Sequence, residues 1–141
     1  MSGLSPIYLS AIAVQIGGLS AFLGGFAATF LGTLLALGVR GRTASLAIGF
    51  AVSSSVAFIV SVVASTALVA LLHPQAPQLM HSAAPGGARV LLTLSFVVGL
   101  YALLISLAFS GWSRSKGTGL TTSIAGGIGI LLVSWMVVGI G

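Results

Sequence analysis

Four long apolar stretches free of charge, residues 7–39, 44–72, 90–110 and 120–140, divide the chain, with short clusters of glycine, proline, hydroxyl or basic residues between them. No stretch alternates with period two, and each reads as a helix that is apolar on every side. About 20 apolar residues cross the roughly 30 Å hydrocarbon core of a bilayer. The last two runs have that length, whereas the first two would reach about 50 and 44 Å at 1.5 Å per residue. The first pair is therefore expected to stand beyond the core on one side, with Gln15 near the head groups, where its amide need not be buried without a partner. The pattern predicts an all-α, polytopic membrane protein. Residues 1–141 form one transmembrane domain, a bundle of four transmembrane helices, mostly antiparallel, with an outer loop over residues 73–88.

The punctuation between runs supports these boundaries. Ser5 before Pro6 marks a helix start, because Ser caps free amides and Pro loses nothing at the first helical position. Arg40, Gly41, Arg42 and Thr43 read as a tight turn, and so does the segment 111–119 with Arg114 and Lys116. Between them His73, Pro74, Pro77, His81 and the Pro85-Gly86-Gly87 breaker make the only substantial loop.

Small residues in the first run recur at helical spacing. Ala11, Gly18, Gly25 and Gly32 fall seven apart on one line, Ala21 and Ala28 on the next, and Gly17, Gly24 and Ala36 extend the small-x-x-x-small pairs. Such a face lets a neighbouring helix approach closely, and van der Waals packing then replaces the hydrophobic drive that lipid removes. Gly18, Ala21, Gly25, Ala28 and Gly32 are thus candidate packing residues, with Gly127 of the Gly119, Ser123, Gly127 series in the fourth run. Partners for them are sought in the second and fourth runs or on another protein. In the second run Ser54, Ser61 and Ser65 share a face. Hydroxyls of that kind bond to a neighbouring helix more often than they line a path for a solute. Tyr101, deep in the third run, needs an acceptor for its hydroxyl, from those serines or from a carbonyl.

Composition sharpens the membrane reading. Of 141 residues 57% are hydrophobic and 4% charged, against about 25% charged in soluble domains, and the mean hydropathy is +1.24. All five charges are cationic: Arg40, Arg42, Arg89, Arg114 and Lys116. They stand singly or in pairs between apolar runs, unlike the clustered basic face of a nucleic-acid-binding module, so no nucleic-acid partner is expected. Cations resist translocation, so Arg40, Arg42, Arg114 and Lys116 are assigned to the cytoplasmic side, touching lipid head groups. Both termini and loop 73–88 are then external or periplasmic, as in a bacterial inner-membrane protein. Trp112 near the inner boundary, with Tyr8 and Trp135 near the outer one, fits aromatic belts. The first run is too long for a signal-peptide core and is expected to stay as a membrane helix.

Chemistry is narrowly bounded. Without Asp, Glu or Cys, carboxylate acid–base catalysis, thiolate ligands and carboxylate-based proton transport are excluded. His73, at the end of the second run, is the one candidate for a haem-type cofactor, although an interfacial imidazole is the commoner role. No metal and no resident cofactor are expected, because a zinc site would need further ligands. Gly126, Gly127 and Gly129 lack the strand and spacing of a nucleotide-binding loop and suggest close helix packing. The expected function is a non-catalytic accessory or structural subunit of a larger membrane complex, respiratory or photosynthetic, with membrane lipids and other membrane-protein subunits as partners. The alternative is a small oligomeric channel or transporter for a neutral solute.

Overall fold

A computed structural model describes residues 5–73 and 85–140 of the chain. Four helices account for nearly all of them: α1 (Pro6–Ala36), α2 (Arg42–Leu72), α3 (Pro85–Trp112) and α4 (Lys116–Ile140). Each is long and apolar enough to cross a membrane. Pro74, Pro77 and His81, with most of the expected outer loop, lie outside the described residues.

Local chemistry fixes the ends. The Ser5 hydroxyl accepts the Tyr8 amide at 3.3 Å, and Pro6 occupies the first turn, where its missing donor costs nothing. α1 stops at Ala36 rather than at residue 39. Gly38 takes φ 60° and donates its amide to the Leu35 carbonyl at 3.1 Å, a left-handed helix ending that glycine adopts without strain. Gly41, at φ 116°, then redirects the chain into α2.

The second pair of helices begins earlier than the apolar runs suggest. Pro85 opens α3 and takes Gly86, Gly87 and Arg89 into its first turns, and α4 starts at Lys116 instead of residue 120. A proline at a helix start removes no intrahelical bond, so the breaker becomes an initiator. α1 and α2 have 31 residues each, α3 28 and α4 25. The contrast in length between the two pairs is consequently smaller than the apolar runs imply.

The helices pack in chain order, α1 on α2, α2 on α3 and α3 on α4, with only a slight approach of α1 to α3. Two buried clusters tie the first three together. Ala13, Ala64, Leu68 and Leu92 form one, and Ala27, Phe58 and Leu103 the other. Among the described residues Phe58 is the largest fully buried side chain, and it meets the Phe96 ring edge-on at 6.1 Å. α4 contributes to neither cluster and leans on α3 alone as a major partner. Between the turns the outer surface is mainly apolar, with Phe22, Val63, Leu131 and Trp135 among many exposed large side chains. Water would not tolerate so continuous an apolar surface, whereas lipid matches it.

Candidate functional site

α1 carries two small-residue faces with different fates. Ala13, Ser20, Ala27 and Leu34, seven apart, are buried against the neighbouring helices. Gly17 and Gly24 join that side. A β-carbon at Gly24 would stand 3.2 Å from Phe58 Cβ, and one at Gly17 would run into the Ser65 side chain. Residues two apart on a helix point about 200° away from each other, so the line through Gly18, Gly25 and Gly32 is nearly opposite the buried line through Ser20. Gly18, Ala21, Gly25, Ala28 and Gly32 are all exposed, and no heavy atom lies within 4 Å of a β-carbon built at any of the three glycines. The three glycines thus point away from the buried line, while Ala21 and Gly25 border a cavity of about 190 Å³ shared with Phe58, Ile59, Val62 and Val63 of α2.

The glycines of α4 divide in the same way. A β-carbon at Gly126 would meet Ala108 Cβ at 3.0 Å and the Leu104 carbonyl at 3.2 Å, and one at Gly129 would meet Leu104 Cδ2 at 3.1 Å. Gly127, between them, has nothing within 4 Å. At the turn end of the same hairpin Gly119 lies against Trp112, whose indole N–H donates to the Ser123 hydroxyl at 2.6 Å.

Hydroxyls in α2 close on protein. Ser20 and Ser61 share a hydrogen bond of 2.8 Å between α1 and α2, and Ser54 donates to the Gly99 carbonyl of α3 at 2.8 Å. Ser106 of α3 returns the connection to the Ala47 carbonyl at 2.7 Å. Ser65, though buried, donates within its own helix to the Val62 carbonyl at 2.7 Å. Ser53, Ser55 and Thr66 donate to carbonyls four residues back. Tyr101 finds its partner on α4, at Ser134, rather than among the serines of α2. Among the described residues no buried side-chain nitrogen or oxygen lacks a partner, as a low-dielectric interior demands.

Gly99 and Ser106 were not separable from the rest of the third run by hydropathy. Their signal is spacing: Leu92, Gly99 and Ser106 fall seven apart and all three are buried against α2. Two small residues one heptad apart, Gly99 and Ser106, in line with Leu92 are the mark that sets this face apart.

The cations gather at one end. The α1–α2 turn carries Arg40 and Arg42, the α3–α4 turn Arg114 and Lys116, and all four are exposed. Arg89 is also exposed, near the opposite end in the first turns of α3. His73 caps the C-terminus of α2, with its amide donating to the Ala70 carbonyl at 3.4 Å. The described surface thus offers close helix contact, guanidinium and ammonium donors, and no carboxylate. Comparison with protein-family models, curated proteins and solved structures finds no match for the chain.

Proposed function

We propose that the chain is a non-catalytic accessory subunit of a larger integral-membrane complex, respiratory or photosynthetic, which it joins through the outward small-residue stripe of α1. The observation that carries this reading is the open space over Gly18, Gly25 and Gly32. Gly17 and Gly24 of the same helix are occupied by α2, whereas a side chain added at any of the three glycines in register would meet nothing of this chain within 4 Å. Small residues have low value against lipid chains, which pack equally well on Leu; they matter where another backbone comes close. The absence of any acidic side chain removes the carboxylates that ion coupling or acid–base chemistry would use and favours neighbours or lipids of negative charge. In this reading the protein sits in a bacterial inner membrane with both termini and loop 73–88 outside.

The test is purification in a mild detergent, with mass spectrometry of what comes with the chain, for the natural sequence and for Gly25→Leu. Unrelated subunits in fixed proportion, lost from Gly25→Leu while the chain itself still folds, are the expected result. A pure homo-oligomer that conducts or transports in liposomes would overturn the reading.

A further inference from the structure

The basic end of the bundle holds a cleft of about 410 Å³ between the C-terminal part of α1 and the α3–α4 turn. Its wall on the α1 side is apolar, formed by Phe30, Leu34 and Leu37, and its rim carries Arg114, Thr33 and Thr118. We propose that this cleft binds an anionic phospholipid, with the head-group phosphate on Arg114 and the upper part of an acyl chain along the α1 wall.

Three features select that ligand. Arg114 is exposed at the rim, and a guanidinium offers phosphate a planar fork of donors that an ammonium lacks. Arg40, Arg42 and Lys116 stand in the same two turns, and the chain has no acidic residue to neutralise them. The local field therefore favours an anion and has no internal counter-ion. The lining hydroxyls add little donor capacity: Thr33, Ser110, Ser113 and Thr122 donate to backbone carbonyls, and Thr118 shares a hydrogen bond with Ser115. Arg114 is left as the principal donor. The apolar wall then decides between a soluble anion and a lipid. A free phosphate would gain nothing from Phe30, Leu34 and Leu37, whereas a lipid places its charge at the rim and its chain on that wall. The volume suits a head group and the first part of a chain, since ligand sites span about 300–1,000 Å³, and the remaining chain can run down the exposed apolar surface.

Native mass spectrometry of the full chain in mild detergent, with added phosphatidylglycerol or phosphatidylcholine, tests the proposal. The natural protein should retain phosphatidylglycerol in preference. Arg114→Gln should weaken that retention about fivefold, the value of one interfacial cation, while Arg89→Gln at the other end leaves it unchanged. Thr33→Trp, which fills the cleft and keeps every charge, should also displace the lipid. Equal loss from Arg89→Gln, or equal retention of phosphatidylcholine, would reduce the effect to the general lipid shell and overturn the site. Thermal protection by inorganic phosphate alone, matching that by phosphatidylglycerol, would overturn the lipid assignment.

Discussion

Ser20 and Ser61 show how a single pair of side chains works in this bundle. Their hydroxyls meet at 2.8 Å and both residues are fully buried, so each is the other's partner across the α1–α2 contact. In a membrane such bonds average about 0.6 kcal/mol by double-mutant cycles, with a maximum near 1.7, because the separated helices also find partners. Ser61→Ala and Ser20→Ala should each lower stability modestly. The double variant should cost less than the sum of the two, by about 0.6 kcal/mol, as read by unfolding in a denaturing-detergent titration. Strict additivity would mean that the two hydroxyls are not coupled. Ser61 was legible in the sequence as one of three serines on a shared face, and Ser20 was not, since a lone hydroxyl in a glycine-rich run looks like any other small residue. The same limit applies to Gly24 and Gly25. They are adjacent and chemically identical, and only the position of Phe58 makes one a contact and the other an open surface.

At the scale of helices, α2 is held on both sides and α4 on one. Gly24 and Gly99 both lie beside Phe58, so α1 and α3 approach α2 at the same level and the ring fills the space between them. α4 depends on Gly126, Gly129 and the Trp112–Ser123 and Tyr101–Ser134 bonds to α3. Gly126→Leu would push a side chain against the Leu104 carbonyl and Ala108, a backbone-level clash that a rotamer change cannot relieve. Overpacking of this kind costs about 1–3 kcal/mol. Amide exchange across residues 118–139 should therefore speed up by roughly fivefold to a hundredfold, with α1 and α2 unchanged. Gly127→Leu, one position away and open, should leave α4 protection as it was. Equal effects of the two variants would remove the argument for a glycine-specific α3–α4 contact. The helices themselves were readable from uninterrupted apolar runs, and the Ser5–Pro6 start from capping chemistry. The starts of α3 and α4 were not, because Pro85 and the glycines that follow it mark a turn or a first helical turn equally well. Which face of each helix points inward was also hidden, since a helix apolar all round carries no stripe to orient it.

For the whole molecule, four helices packed in chain order bring residues 5 and 140 to one end and both basic turns to the other. That arrangement converts scattered charges into an asymmetry: Arg40, Arg42, Arg114 and Lys116 at one end against Arg89 at the other. Because short loops bearing Lys and Arg are retained in the cytoplasm, the four-cation end is expected inside. The chain contains no cysteine, so single cysteines report orientation without background. Gly117 and Gly86 suit this purpose, since both are exposed and a β-carbon at either meets nothing within 4 Å. They also lie at opposite ends, in the first turns of α4 and α3. An impermeant maleimide applied to intact cells should label Gly86→Cys and reach Gly117→Cys only after permeabilisation. The reverse result would invert the topology and show that another subunit, rather than the charges of this chain, sets its orientation. Charge exchange separates these causes. Arg40→Ser, Arg42→Ser, Arg114→Ser and Lys116→Ser together leave Arg89 as the only side-chain cation other than histidine. If the chain orients itself, that variant should shift Gly117→Cys labelling toward the outside; if a partner imposes the orientation, labelling should stay as it was.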